Sequence, residues 1–438
     1  MKFSNYAQKI NFIIKIYYKY HFIVSSLIFI ILSLTFLNFD IINNEHKWLD
    51  GREYVARAAS INLFELDFLG LRDGGRTPLF PIVLYILSFL PFDIVIVYKI
   101  LNIFFVVFIP SILIQIFKDL DDEKYKEIFT LTAVLYYFFV PNYFFIDFVY
   151  AELISIFFFN FLIFFTYKIY LKKDFVIKNF FLLAFLFVIC FYLKANLILY
   201  GLVFSIFLNQ IFKNFKNLFL FGCIIFVLMS PWFLYMYSIT GELKATNTQH
   251  VNRLFGMGLD TIGSGRQNLD TMHGKYIYKV YGENKEMIEV YNLYRNNMDE
   301  EYLTNELLGM DLNLQLEREK YTKISVKKIF NNDPNILLKY SLLKLPHLFG
   351  FSFRGLRDIL IFVYSIISFL IMIYFIKQRK YKIFILINSM VLLATIIQTL
   401  IYVPTIRYSI YFFNSSIILY ALMLFELKKK LIDKNEID

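Results

Sequence analysis

Two short runs concentrate charge beside long apolar stretches: Trp48-Leu49-Asp50-Gly51-Arg52-Glu53-Tyr54-Val55-Ala56-Arg57 and Arg72-Asp73-Gly74-Gly75-Arg76-Thr77-Pro78-Leu79-Phe80-Pro81. Asp50, Tyr54 and Arg57 stand at i, i+4 and i+7, one face of a helix. A carboxylate on that face, at the lip of an apolar cavity, could accept a proton from an incoming hydroxyl. Arginines beside it could neutralise a phosphate, because a planar guanidinium meets phosphate oxygens two at a time. The same spacing also describes a solvated helix with internal ion pairs, for which Glu53 and Asp67 are the simplest partners. Spacing leaves both readings open.

Other reactive side chains are sparse. His46, His250, His273 and His347 all fall in segments expected on the outer side, and no two share a metal-ligand spacing such as H-x-x-x-H. Cys190 and Cys223, the two cysteines, exclude a disulfide framework and a Cys-rich zinc site. Both sit in apolar runs, which predicts buried free thiols. Neither G-x-G-x-x-G nor G-x-x-x-x-G-K-[ST] occurs, so no nucleotide-phosphate loop is visible.

The elements that must hold these residues are membrane helices. Of 438 residues, 58% are hydrophobic and 18% charged, with 53 Phe and 33 Tyr. Soluble domains run near 45–50% apolar and about 25% charged, so the chain has more apolar surface than a soluble core could hide. A membrane helix needs about 20 mostly apolar residues. The first such run is His21–Asn38, preceded by Lys2, Lys9, Lys15 and Lys19 with no small-x-small cleavage site after it. It reads as a retained anchor with a cytoplasmic N-terminus. Further runs lie near 94–117, 128–146, 148–168, 179–193, 196–212, 217–237, 359–376, 383–403 and 408–427, which makes ten expected spans.

Lys and Arg accumulate on the cytoplasmic side of short loops. Starting inside, ten crossings place Lys118–Lys126, Lys168–Lys178, Lys213–Lys216, Lys377–Lys382 and Lys428–Lys434 in the cytoplasm. With the N-terminus they hold 21 of the 45 basic residues, whereas the outward stretch 239–335 holds 12 basic and 14 acidic ones. The net charge of +10 is therefore a topology signal, and a nucleic-acid partner is not expected. Pro78–Pro91 and Ile336–Phe349 are short for spans and are expected to lie on the outer surface as juxtamembrane helices. The expected fold is all-α, one polytopic membrane domain over 1–438. Its first outer loop (39–93) carries juxtamembrane helices, and its larger outer loop (238–358) contains helices at Glu300–Leu316 and Glu319–Phe330.

Asp-x-x-x-Tyr after the first span, followed by Arg76-Thr77-Pro78-Leu79-Phe80-Pro81, resembles the GT-C glycosyltransferases. The nearer likeness is to the branch of protein mannosyltransferases and bacterial lipid A aminoarabinose transferases. Other marks follow in order. Phe148-Val149-Tyr150-Ala151-Glu152-Leu153 resembles that family's acidic start of the fourth span. Tyr192-Leu193-Lys194 resembles the basic turn between spans five and six, with lysine where arginine is common. Ser230-Pro231-Trp232 with Gly241 and Asn247, Asn332-Asp333-Pro334, and Ile406-Arg407-Tyr408 resemble later marks.

The resemblance implies inverting transfer of a sugar from a polyprenyl-phosphate carrier to a glycan, lipid or protein acceptor at the outer face of the plasma membrane. Under it Asp50 is the general base, and Glu152 is a second acidic residue holding the acceptor, the partners of Asp50 or a divalent metal. Arg76 is the first choice for the lipid phosphate, with Lys194 and Arg407 as further phosphate ligands. Tyr54, Arg57 and Trp232 are expected against the substrate. A lipid-borne donor entering from the bilayer suits a protein whose cytoplasmic loops are too short for a nucleotide fold. Simpler readings stay open: a helix cap for Glu152, interfacial snorkelling for Lys194 and Arg407, and an aromatic belt for Trp232. Two other classes compete. An envelope polysaccharide polymerase or ligase would be expected to show paired arginines in two outer loops. A transporter of lipid-linked sugars would leave ionisable or broken positions at the midplane of several helices, whereas here Lys99, near the outer end of its span, is the main ionisable intrusion and Pro110 the clearest midspan break.

Overall fold

The structure is a computed structural model that describes residues 2–40, 49–62, 67–68, 71, 74–212, 215–246, 356–401 and 406–435, with scattered positions between 316 and 349. It is mostly helical. In chain order the helices are α1 (Lys2–Asp40), α2 (Leu49–Ala59), α3 (Leu79–Leu87), α4 (Ile94–Phe117), α5 (Glu123–Tyr136), α6 (Glu152–Lys172), α7 (Ile177–Leu193), α8 (Ile198–Phe212) and α9 (Phe215–Thr240). After the loop come α10 (Leu356–Gln378), α11 (Lys382–Ile401) and α12 (Ile406–Asn435). The strand pairing among the described residues is a two-residue antiparallel ladder after α2, Ile61↔Phe68 and Asn62↔Asp67.

Among the described residues seven helices are long and apolar enough to cross a membrane: α1 over Asn11–Thr35, α4, α6, α9 over Leu218–Thr240, α10 over Ile359–Gln378, α11 over Lys382–Leu400 and α12 over Ser409–Lys430. Their apolar residues face outward as well as inward. Phe22, Leu27 and Leu34 of α1, Phe226 and Leu234 of α9, and Leu370 and Ile376 of α10 are all exposed. In water such a surface would aggregate, whereas in a bilayer it is the solvated face. The chain is an all-α integral membrane protein.

The other three apolar runs hold shorter helices, α5, α7 and α8. The run 128–146 was expected to be one continuous span, but α5 ends at Tyr136 and gives way to a 3-10 turn over Val140–Phe145. Pro141 accounts for the break, since proline lacks the N–H and disfavours helical backbone in the residue before it. Conversely, α4 runs through Pro110 without ending. Cys190 is buried as expected, but Cys223 is exposed on α9. An apolar environment for that thiol therefore means lipid rather than protein core. The expected helix Glu300–Leu316 and most of Ile336–Phe349 lie outside the described residues. Described positions from Glu319 to Asn331 are helical, and Pro334 and Asn335 form a turn.

The ends of the bundle differ. At one end Asp119, after α4, meets Lys168 (3.0 Å) and Lys172 (2.6 Å) from α6. Glu127 of α5 meets Lys428 of α12 at 2.5 Å, and Lys428 also donates to Asn11 of α1. Lys380, between α10 and α11, meets Glu426 at 2.8 Å. So the Lys-rich segments of α1, α4–α5, α6, α10–α11 and α12 gather at one basic end. Burial would raise the Asp119 carboxyl, but the two lysines more than offset this and hold it below the usual range. The opposite end carries α2, α3, the start of α6 and the α7–α8 turn. Between the ends, polar side chains tie helices together. Ser25 of α1 bonds Ser111 of α4 and Tyr137, both at 2.6 Å. Asn142 and Asn414 exchange reciprocal amide bonds of 3.0 and 2.8 Å.

Candidate functional site

The first charged centre is built on α2. Glu53 and Arg57 are i, i+4 neighbours, so their side chains meet on one helix face. Arg57 Nε donates to Glu53 Oε1 at 2.9 Å and Nη2 lies 2.8 Å from the same oxygen. Arg76 approaches from the other side, donating through Nη2 to Oε2 at 2.6 Å and through Nε at 3.1–3.2 Å. One carboxylate thus lies between two guanidiniums, with Arg57 fully buried and Arg76 29% exposed. Burial pushes the Glu53 carboxyl up, but Arg76 and then Arg57 outweigh it and hold it well below the ordinary value. The Arg76 guanidinium also lies 5.2 Å from the centre of the Tyr54 ring, within cation–π range.

The loop that delivers Arg76 is pinned to α9. Tyr235 donates its hydroxyl to the Leu71 carbonyl at 3.1 Å. Gly74 has φ +63°, and a Cβ there would come 2.6 Å from Met236 Sδ. Only glycine fits both the backbone and the contact. Pro78, with its fixed φ, then opens α3.

The second centre joins α6 to the α7–α8 turn. Glu152, the first residue of α6, is fully buried, and its Oε1 is 3.0 Å from Lys194 Nζ. A carboxylate at a helix N-terminus also gains from the helix dipole. Lys194 lies 5.5 Å from the centre of the Tyr411 ring on α12, and the Tyr411 hydroxyl is 2.8 Å from Ser155 Oγ, one turn along α6.

Aromatic rings bridge the two centres. Tyr54 packs edge-on against Phe80 (4.6 Å) and Phe80 against Tyr98 of α4 (5.3 Å). Tyr98 donates its hydroxyl to the Tyr150 carbonyl at 2.5 Å, two residues before Glu152. The first turn of α2 reaches the same place: a Cβ on Gly51 would sit 3.6 Å from the Val149 carbonyl. The backbone therefore brings the Asp50 position beside the segment that leads into Glu152. The Asp50 side chain is outside the described residues.

The residues named from sequence separate as follows. Tyr54, Arg57, Arg76, Glu152 and Lys194 gather at this end of the bundle. Arg76 and Lys194, expected on a phosphate, each hold a carboxylate. Trp232 is buried, stacks on Tyr235 at 5.3 Å and donates Nε1–H to the Ala245 carbonyl at 2.8 Å, so it braces the end of α9. Arg407 lies in the first turn of α12, and its side chain is outside the described residues. Sequence reasoning gave Glu53 too small a part and missed Tyr98, Ser155 and Tyr411. The i, i+4 spacing signals the Glu53–Arg57 pair, whereas nothing local marks the other three. No three His, Cys, Asp or Glu side chains gather as metal ligands among the described residues.

No protein-family model, curated protein or solved structure matches this chain. The functional reading rests on its own residues.

Proposed function

We propose that this protein is an inverting membrane glycosyltransferase that takes a sugar from a polyprenyl-phosphate donor and passes it to an acceptor hydroxyl on the outer face. All ten apolar helices cross the bilayer, the basic end and both termini are cytoplasmic, and the α2 end faces outward. Of the ten, α7 with 17 residues and α8 with 15 are short for a full span. α5 completes its crossing with the 3-10 turn at Val140–Phe145. The helix α3, with nine residues, is too short to cross and lies at the interface. Its neighbours Phe89, Leu90 and Phe92 are exposed toward lipid.

The observation that carries this reading is the clustering of two acid–base centres, Glu53–Arg57–Arg76 and Glu152–Lys194, at the bundle end away from the lysine-rich loops. In the first, two guanidiniums face one carboxylate, and the partly exposed Arg76 is the cation placed to meet a lipid phosphate. The acceptor oxygen attacks the anomeric carbon as Asp50 takes its proton. The bond to the phosphate oxygen breaks, and that oxygen leaves with the electron pair toward Arg76. One base suffices because a phosphate leaves without much acid help. Glu152, anchored by Lys194, orients the acceptor or shares a divalent metal with Asp50.

The test is sugar transfer by the purified full chain in liposomes containing a short-chain prenyl-phosphate hexose. Asp50→Asn is expected to cut transfer by about 10²–10⁴-fold, the usual worth of a general base, with insertion and folding intact. Arg76→Ala is expected mainly to raise the donor concentration required. Wild-type transfer by Asp50→Asn would remove the base assignment. A wild-type protein that transfers no sugar from any prenyl-phosphate donor would remove the enzyme reading. A chelator titration separates the metal-dependent use of Asp50 and Glu152 from the metal-free one.

A further inference from the structure

Among the described residues, three lysine or arginine side chains are buried: Arg57, Lys99 and Lys244. Arg57 meets Glu53 at 2.8 Å, and Lys244 meets Glu242 at 3.6 Å. Lys99, on α4 and 8% exposed, has neither an ion pair nor a hydrogen bond among the described residues. Its ammonium is nonetheless not sealed in. The polar atoms shut off from solvent without a partner include Asn102 Oδ1, one turn along α4, but not Lys99 Nζ. Protein covers the stem, and the charge reaches an opening.

The helix register places that opening. Tyr98 and Asn102 are i, i+4 neighbours on one face of α4. Tyr98 donates to the Tyr150 carbonyl at 2.5 Å, and Asn102 Nδ2 donates to the Ile146 and Phe148 carbonyls at 3.0 Å each. Lys99 stands between them in the chain, so it flanks the face that holds residues 146–150. The same segment receives α2, where a Cβ on Gly51 would sit 3.6 Å from the Val149 carbonyl. The carboxylates on this side are Asp147 and Glu152; neither forms an ion pair with Lys99, and Glu152 is held by Lys194. Depth is informative too. The 24 residues of α4 make about 36 Å of helix, against a hydrocarbon core of about 30 Å. With the excess shared between the ends, the Lys99 backbone lies about 5 Å inside the edge of the core. Its stem then reaches the level of lipid phosphates.

We propose that Lys99 is a phosphate-binding residue at the mouth between α4 and residues 146–150, taking the phosphate of the prenyl-phosphate donor. This rests on the glycosyltransferase reading for the identity of the lipid. It adds a cation free of carboxylates, which Arg76 and Lys194 are not. A lysine buried in a membrane helix without an anion is costly, and such residues mark binding sites and pathways. A phosphate supplies the missing charge, and the three donors of an ammonium can meet its oxygens. Snorkelling into bulk lipid does not account for Lys99. A lysine reaching out from the lipid side exposes its stem, whereas the exposed ring of α4 is Phe104, on another face.

The experiment measures binding of two probes by the detergent-solubilised full chain: a short-chain prenyl phosphate and the corresponding uncharged prenol. Wild type is expected to prefer the phosphate by at least about tenfold, the worth of a hydrogen bond to a charged group. Lys99→Met, which keeps the length and removes the charge, is expected to weaken phosphate binding about tenfold and leave prenol binding unchanged. An unchanged phosphate affinity, or an equal loss for both probes, overturns the proposal. The variant should melt no lower than wild type, because it removes an unpaired buried charge; a lower melting temperature would reveal a structural partner and overturn it as well. Phosphatidylglycerol is the competing source of the same chemistry. It should displace the prenyl phosphate poorly from wild type; full displacement at equal concentration would make this a headgroup site and overturn the donor assignment. Lys99-dependent binding in a protein that transfers no sugar would support the phosphate site and remove the transferase reading alone.

Discussion

Glu53→Gln tests whether the α2 centre is organised as its geometry indicates. Glu53 faces two arginines in different surroundings. Arg57 is fully buried, whereas Arg76 and Glu53 are 29% and 27% exposed. Two unit charges about 4 Å apart attract by ~4 kcal/mol at an effective dielectric of 20. Removing the carboxylate charge leaves the Arg57 guanidinium buried beside a neutral amide, and breaking such a pair costs about 3–5 kcal/mol. The Arg76 side is screened by solvent and is worth about 1 kcal/mol. Hydrogen exchange of residues 49–59 in the solubilised protein reads the local opening of α2. Glu53→Gln should accelerate it by roughly two to four orders of magnitude, since 1.4 kcal/mol is tenfold. Adding Arg57→Met should recover part of the loss because the buried guanidinium that faced the carboxylate goes with it. Adding Arg76→Met should recover little. Wild-type exchange in Glu53→Gln, or equal rescue by the two methionines, would refute the reasoning.

The same pair sets a pH dependence. The Glu53 carboxyl titrates below its unfolded value of about 4.3. Its contribution is therefore fully present above that value and is lost as pH falls through the lower, folded one. Protection of α2, corrected for the intrinsic exchange rate, should stay flat from pH 7 to 5 and decline below about 4.3. In Glu53→Gln that decline should be much weaker.

Two further perturbations concern the bundle that positions the site. Gly201 sits where α8 crosses α7, and a Cβ there would come within 1.8 Å of the buried Phe187 ring. Gly201→Ala should cost about 1–3 kcal/mol by overpacking, read as a lower melting temperature, and Phe187→Leu should restore part of it; no change would mean the helices can part freely. The reciprocal Asn142–Asn414 amide pair should show a coupling of about 0.6 and at most ~1.7 kcal/mol in a double-mutant cycle with leucines, the range for polar pairs between membrane helices. A coupling indistinguishable from zero would make the pair incidental.

What was legible in the sequence depended on how local the cause was. Lysines gathered at one end were readable because the bias is carried by each short loop separately. Asp119–Lys168, Glu127–Lys428 and Lys380–Glu426 join residues in, or directly beside, segments that loop charges assign to one side. The end of α5 was less legible, because a run of apolar residues hides a break that Pro141 imposes. The ionic partners in the site were legible only where one helix supplies both. Glu53 and Arg57 are four residues apart, but Arg76 reaches them through a turn held by Gly74 and Tyr235. Glu152 and Lys194 lie on different helices, and only the packing of α6 against α7 sets their contact.

That difference bears on what the charges at the α2 end can do. A carboxylate and a lysine brought together by two packed helices cannot adjust as a surface pair does, since moving either means moving a helix. Glu152 is accordingly held by Lys194 at the start of α6, and Tyr98 fixes the backbone two residues earlier through its hydroxyl on the Tyr150 carbonyl. The α2 centre is more open: Arg76 stands in a loop, is partly exposed, and reaches Glu53 and the Tyr54 ring of α2. The proposed transferase would use both qualities, a rigid partner for the acceptor and a more exposed cation for the phosphate. On this argument Arg76→Lys, which keeps the charge but loses the fork on Glu53, should disturb donor use more than acceptor use, and Lys194→Arg should do the reverse.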